Sequence, residues 1–445
     1  MTGYRHRSAS RLALWGAFLA VHGWLTFLGV VVVPGESFYD LELYRWWAQL
    51  TTAGGPAAVL SSGWVYPAGA LVPMLAAASV GTGSTVSYAL AWCAMVAALD
   101  AVAITALVRS GRSAGAWWWL GFLLLLGPVA LGSLDAVIVP LCIVALVLVA
   151  RSPAHARTAS ALLTVGAWIK VAPGALLLPL IAARRRPLRD VVVPAAAVTL
   201  TVVTAVLASG GIAHIGSFLT GQGTRGLQVE AVGASGWMVA RLLSARVEVV
   251  FNEQLSTYEV AGPGTGVAAP VLDVILVGAV VAIGLALVLA RRRGVADAAL
   301  LPGSLAIMAA LFVTDKVGSP QYLTWVAAPI AVALSAPGIL RGSPDQARLH
   351  RSAVEPQGTP PWLSMAAGIG LAAAALTQEV FPWGYALLLD GNGAMTVVLV
   401  LRNLLLIALL VSALLGIRGV VRRDPEWVSE LEDEPRPVGL RRAEA

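Results

Sequence analysis

The chain has 445 residues, is 58% hydrophobic and 12% charged, carries a net charge of +6 and has a mean hydropathy of +0.80. Soluble domains carry about 25% charged residues and about 45–50% apolar ones, so this chain has too little polar surface to cover a water-soluble globule of its size. That excludes a cytosolic enzyme, a nucleic-acid binder and a secreted domain, and leaves a polytopic membrane protein whose apolar runs of about 20 residues recur from end to end. The arginines sit in short clusters between those runs and read as topology signals rather than a nucleic-acid footprint. Cys93 and Cys142 lie inside apolar runs and imply no disulfide framework. The five histidines are scattered and show no metal-ligand spacing.

In chain order, the basic stretch 1–11 precedes an apolar run at 12–33, read as a retained first span with the N-terminus in the cytoplasm. Residues 34–83 then form a first outer loop. Within it, 39–50 predicts an interfacial helix with Trp46 and Trp47 at headgroup level, and 66–80, broken by Pro67 and Pro73, predicts an interfacial or re-entrant helix. Spans follow at 84–108, 116–132 and 134–150. The run 158–183 has basic flanks on both sides, and Pro173-Gly174 in its middle, so two half-membrane helices turning near Lys170 satisfy the charge rule better than one crossing. Further spans are expected at 190–209, 269–290, 297–314, 321–340, 362–380 and 395–417. A second long outer loop spans 210–268, and 341–361 is cytoplasmic. The expectation is an all-α, single-domain polytopic protein over 1–417, with about 10 full spans plus two half-helices. A charged, disordered cytoplasmic tail occupies 418–445. No internal repeat is visible.

Few residues here can carry chemistry. Asp40, just outside the first span, fits two roles: the N-cap of the 39–50 helix, or a carboxylate placed to take a proton from a sugar hydroxyl. Glu42, two residues on, points away from it on a helix and reads as a surface charge. Of the 30 Lys and Arg residues only Lys170 and Lys316 are lysines. Cations at membrane edges are functional candidates, and lysine is a compact phosphate binder. Lys316, in the outward turn DKVGSPQ, is the preferred phosphate contact, although pairing with Asp315 also fits. Lys170 depends on the half-helix reading. Arg225 and Arg241 in the second loop are further phosphate candidates. Gln321 and Tyr322 open a late span and fit the lining of a sugar site. Asp135 reads as a helix cap, Asp100 as a structural group within a span, and Trp117 to Trp119 as an interface belt.

Four segments together resemble a known family. Asp40-Leu41-Glu42-Leu43-Tyr44 is similar to its D-L-x-(aliphatic)-Y in the first outer loop. Tyr66-Pro67 is similar to its Y-P-P, with Ala68 in place of the second proline. Lys170-Val171-Ala172-Pro173 matches its K-x-x-P, and Ser319-Pro320-Gln321-Tyr322 its S-P-Q-Y. Their order and spacing over roughly 12–335 resemble the GT-C glycosyltransferases, specifically the bacterial polyprenyl-phosphate-mannose-dependent α-mannosyltransferases that elongate phosphatidylinositol mannosides. The resemblance implies a GT-C fold, Asp40 as catalytic base, Tyr44 and Tyr66 among the donor-binding residues, and mannose as the sugar.

The expected activity is therefore transfer of a hexose from a polyprenyl-phosphate donor to a glycolipid or glycan acceptor, with inversion, on the outer face of the cell membrane. A lipid monophosphate is already a good leaving group, so the reaction needs a base for the acceptor and positive charge at the phosphate. No metal and no cofactor are expected, because no clustered outer-face Asp-x-Asp is present. Membrane lipids are partners, nucleic acid is not. The rival reading is a transporter or a flippase for a lipid-linked sugar, against which the missing repeat counts.

Overall fold

Inside a bilayer each backbone N–H and C=O has to be satisfied within its own segment, which restricts a chain this apolar to helices or a closed barrel. The computed structural model describes residues 2–60, 64–210, 215–216, 225–253, 256–336 and 359–422 and is overwhelmingly helical. Helix α1 (Thr2–Phe27) runs through a π turn to Val32 and is followed by α2 (Pro34–Ser37) and α3 (Tyr39–Leu60), which bends at Gly55. Then come α4 (Leu71–Ala78), α5 (Thr85–Arg109), α6 (Ala114–Leu126), α7 (Asp135–Arg151), α8 (Ala156–Ile169), α9 (Leu177–Ala183) and α10 (Val193–Ala208). After α11 (Ser235–Arg241) the antiparallel hairpin of β1 (Glu248–Asn252) and β2 (Thr257–Ala261) pairs Val250 with Glu259. The chain continues with α12 (Thr265–Arg292), α13 (Ala296–Thr314), α14 (Leu323–Ser335), α15 (Pro361–Gln378), α16 (Tyr385–Leu389) and α17 (Gly393–Val421).

Among the described residues seven helical stretches are long and apolar enough to cross a membrane: 10–32, 85–109, 188–208, 265–292, 296–314, 361–383 and 393–421. This is a membrane protein. Three runs expected as full spans form shorter helices: α6 has 13 residues, α7 17 and α14 13. Gly127 is one cause. It ends α6 at φ 80°, a left-handed value that side chains with a Cβ avoid, and residues 127–134 become a turn instead of continuing the helix. The β-hairpin, in the second long loop, was not expected. The stretches 337–358 and 423–445, and parts of the 210–268 loop, lie outside the described residues. They include most of the expected cytoplasmic segment 341–361 and nearly all of the 418–445 tail.

Burial sorts the helices. In α13 and α14 nearly every residue is buried, whereas α10 buries only Val206 and α12 only Ala269, Ile283, Leu287 and Ala290. The first pair forms the centre, and the second presents apolar surface to lipid, which costs nothing in hydrocarbon.

A carboxylate buried inside this apolar body is paired. Asp100, 2% exposed, receives Trp119 Nε1 at 3.2 Å and faces His22 Nε2 at 3.0 Å. Trp119 is thus a core hydrogen-bond donor and not part of an interface belt. Consecutive helical residues lie about 100° apart, so three adjacent tryptophans do not share one face. Trp117 stays 40% exposed and Trp118 donates to the Ala367 carbonyl.

The molecule has two distinct ends. The N-termini of α5 and α7 meet the start of α3, where Thr85 Oγ1 donates to Glu42 at 2.6 Å. Their C-termini carry Arg109 and Arg151. At that second end Arg291 donates to the Ile181 and Arg184 carbonyls at 3.0 and 2.8 Å, Arg184 pairs with Asp297, and Arg293 donates to the Val421 carbonyl.

Candidate active site

The site is built where helices end. The helix α8 stops at Ile169, and Lys170 takes an extended conformation, φ −151° and ψ 135°, before a 3-10 turn leads into α9. A proline cannot donate to a carbonyl one turn back, so Pro173 cannot continue the hydrogen-bond ladder of α8 and helps keep the two helices apart. The break lies at the residue around which the sequence predicts two half-helices. It turns the ammonium of Lys170 onto the carboxylate of Asp135, the first residue of α7.

Asp135 is fully buried and saturated with donors. It receives Lys170 Nζ and Ser133 Oγ (3.2 Å) on one oxygen and Trp325 Nε1 (2.6 Å) on the other. The sequence reading of Asp135 as a cap is corrected here, because its side chain caps nothing and serves as the counter-ion of Lys170. Ser319-Pro320-Gln321-Tyr322 forms a 3-10 turn that feeds α14. Residues three apart on a helix are neighbours, and Tyr322 stacks on Trp325 at 4.2 Å with 18° between ring planes. Lys170 Nζ lies 4.8 Å from the centre of the Tyr322 ring. Lys170, Asp135, Trp325 and Tyr322 therefore form a closed circuit from three separate elements.

Asp40 faces that circuit. It lies in the first turn of α3, half-buried, and accepts from Tyr44 Oη at 3.4 Å. Tyr44 Oη in turn accepts from the Leu134 N–H at 3.3 Å, which ties α3 to the turn before Asp135. The Tyr44 ring packs edge-on against Tyr66 at 5.9 Å and lies tilted against Trp92 at 5.2 Å. Burial raises the proton affinity of Asp40 above the usual 3.8; the neighbouring charge of Asp135 adds to this, and Lys170 and the Tyr44 hydroxyl oppose it. Burial likewise keeps the Tyr66 hydroxyl protonated. Arg225 lies within electrostatic reach of Tyr66, Tyr322 and Asp315, and its buried Nε has no hydrogen-bond partner among the described residues.

Six candidates thus converge: Asp40, Tyr44, Tyr66, Lys170, Tyr322 and Arg225. Others do not. Lys316 is 4% exposed and turns its ammonium to Asp273 at 2.9 Å, neither toward Asp40 nor onto Asp315. Gln321 is half-buried beside Tyr322, and its backbone carbonyl accepts from Thr324 Oγ1 at 2.7 Å. Arg241 donates to the Leu388 and Leu389 carbonyls at the end of α16, a structural use. Glu42 is bound to Arg45 at 2.5 Å and to Thr85, and this pair of donors holds its carboxyl below the usual range. Trp46 is 48% exposed and Trp47 5%, so only Trp46 fits the headgroup position expected of both.

Sequence reasoning missed a clamp behind the site. Arg402 of α17 is completely buried and donates to the Glu230 carbonyl (3.0 Å), the Gly318 carbonyl (3.2 Å), Asn403 Oδ1 (2.6 Å) and Thr377 Oγ1 (3.3 Å). It joins the segment after Arg225 to the segment before Tyr322. The two backbones touch: a Cβ at Gly318 would lie 2.3 Å from Ala231 N, so the position has room only for glycine. Glu230 is buried, its Oε1 has no partner among the described residues, and desolvation lifts it to about 7 against the pull of Arg402. Burial lifts Asp315 to about 6. An arginine in mid-span was the available signal for the clamp, but the two loop carbonyls it holds lie 84 and 172 residues away. Among the described residues no three His, Cys, Asp or Glu side chains are grouped to hold a metal ion.

Comparison of the chain with protein-family models, with curated proteins and with solved structures finds no match. The chemistry of the site therefore rests on its residues.

Removing one partner of a buried pair leaves an uncompensated charge, which typically costs about 3–5 kcal/mol. Lys170→Met should accordingly lower the unfolding midpoint of the detergent-purified protein markedly. Lys170→Met combined with Asp135→Leu should recover much of the loss. Equal midpoints for the single and double variants would show that the pair is not coupled.

Proposed function

We propose that this chain is a membrane hexosyltransferase that takes its sugar from a polyprenyl-phosphate donor. The observation that carries the reading is the meeting of one half-buried carboxylate of raised proton affinity, Asp40, with two cations, Lys170 and Arg225, and a lining of Tyr44, Tyr66 and Tyr322. A group transfer from a lipid phosphate needs this inventory: a base, positive charge, and rings that give a sugar both apolar faces and hydroxyl partners.

In the proposed step the acceptor hydroxyl gives its proton to the Asp40 carboxylate as its oxygen attacks the anomeric carbon. The new C–O bond forms on the face opposite the phosphate, the old C–O bond breaks, and its electron pair leaves on the polyprenyl phosphate. A β-linked donor thereby yields an α product. Asp135 already neutralises Lys170, so Arg225, whose Nε has no partner among the described residues, supplies the uncompensated charge for the phosphate and Lys170 a second contact. Lys316 drops out of that role because it turns to Asp273 and, unlike Lys170, does not reach Asp40. The resemblance of the D-L-E-L-Y, Y-P, K-V-A-P and S-P-Q-Y segments supports mannose as the sugar, a GT-C fold and an outer-face site in the cell membrane. In the rival reading, a transporter, no bond is made and Asp40 would only bind a proton or a polar substrate.

Three outcomes test this. Loss of a general base typically costs about 10²–10⁴ in rate. Among the described residues the Asp40 side chain accepts only from Tyr44 Oη, a bond that an Asn oxygen also accepts, so Asp40→Asn should fold normally and lose about that much turnover on a radiolabelled polyprenyl-phosphate mannose with a lipid extract as acceptor. Glu42→Gln should keep most activity. Full turnover by Asp40→Asn would eliminate the mechanism.

The base acts deprotonated and its proton affinity is raised, so activity should be full at neutral pH and fall on acidification. The half-point should lie above 3.8. A half-point at or below that value would remove the argument from burial.

Arg225→Gln should weaken donor binding, seen as a raised donor KM, whereas Lys316→Met should leave the donor KM near that of the parent protein. The reverse ranking would return the phosphate to Lys316.

A further inference from the structure

At the end of the molecule away from Asp40, helices α5 and α7 part to leave a lateral groove of about 480 Å³. That is within the range of about 300–1,000 Å³ typical of small-molecule sites. Its walls are apolar: Ala101, Val102 and Ala106 from α5, and Val144, Val147 and Leu148 from α7. Thr105 also lines it, but its hydroxyl is spent on the Ala101 carbonyl at 2.8 Å. Arg109 and Arg151, the last residues of their helices, stand at one end of the groove.

Both guanidiniums are exposed, and among the described residues neither makes an ion pair. Four other arginines at this end are engaged, while the exposed Arg185, Arg186 and Arg292 make no ion pair among the described residues but do not line this groove. Arg184 pairs with Asp297, Arg157 pairs with Asp190, and Arg291 and Arg293 close helix ends. Two helix C-termini also converge on Arg109 and Arg151. Their dipoles amount to about half a negative charge each, so two full positive charges leave a net attraction for an anion. An anionic head beside an apolar trough is the complement of an anionic phospholipid, and basic pockets between spans recognise such headgroups.

We propose that this groove binds one anionic phospholipid of the leaflet opposite the Asp40 site. Its phosphate lies between Arg109 and Arg151, and an acyl chain lies along Ala106, Val144 and Leu148. Along α7 the phosphate position is about 24 Å from Asp135, at 1.5 Å per residue, so it is separate from the donor site and stands whether or not the chain is a transferase.

The test uses the detergent-purified full chain, titrated with phosphatidylglycerol or phosphatidylcholine, with bound lipid counted by native mass spectrometry. The parent protein should prefer phosphatidylglycerol by about tenfold or more, the scale set by two basic contacts. Arg109→Gln with Arg151→Gln should abolish the preference, while Arg189→Gln, an exposed arginine outside the groove, should retain it. Ala106→Phe keeps both charges but fills the trough, and should weaken phosphatidylglycerol binding. An unchanged preference in the double variant overturns the phosphate site. Unchanged binding in Ala106→Phe overturns the groove and leaves two surface arginines holding any anion, including the acidic residues of the 423–445 segment.

Discussion

The ion pair between Lys170 and Asp135 is the interaction on which the rest of the site depends. Two charges at the edge of a low-dielectric interior are tolerated only when they neutralise each other and their remaining hydrogen-bonding capacity is met. Asp135 meets the condition with Trp325 and Ser133, and Lys170 with the face of Tyr322. Because Trp325 and Tyr322 stack, the pair locks the break between α8 and α9, the start of α7 and the start of α14 into one arrangement. A helix broken at Lys170 would otherwise leave a buried, unpaired ammonium.

A second constraint acts from behind. Fixing loops at a membrane edge costs conformational entropy at each residue, and one buried guanidinium offsets part of that cost by binding two loop backbones at once. Arg402 holds the Glu230 and Gly318 carbonyls, so Arg225 and Tyr322 approach the site on tethered segments. Buried carboxylates and hydroxyls then shift in the direction that burial dictates. Asp40 and Asp315 hold protons more tightly than free carboxylates, and Tyr66 keeps its own. A carboxylate tuned this way becomes a better proton acceptor near neutral pH. Burial lifts Glu230 to about 7 against the opposing charge of Arg402, and its Oε1 has no hydrogen bond among the described residues.

How much was legible in the sequence depends on the range of the interaction. The break at Lys170 was visible, because proline and the charge of the flanking arginines act locally. The orientation of Glu42 away from Asp40 followed from helical periodicity, and the structure gives it Arg45 and Thr85 as partners. The partner of Lys316 was not legible, since Asp273 is 43 residues away. The same holds for Asp135, whose GSLD context reads as a cap although it neutralises a lysine 35 residues on. Trp119 looked like a headgroup residue until its donor met Asp100. Apolar runs at 116–132 and 321–340 suggested full spans, but the turn at Gly127 shortened the first helix, and α14 ends at Ser335.

By itself the sequence determined that this is a helical membrane protein, where most apolar runs lie and which few polar residues stand near their edges. Hydropathy and helical period are properties of neighbouring residues, and the cost of burying a bare backbone in lipid makes them decisive. The tertiary structure alone decided which of those polar residues meet: Lys170 and not Lys316 beside Asp40, Asp135 as counter-ion, and Arg402 as clamp. Pairing across 35 to 190 residues is governed by how helices pack and which charge each buried group must neutralise. No local pattern in the chain records that.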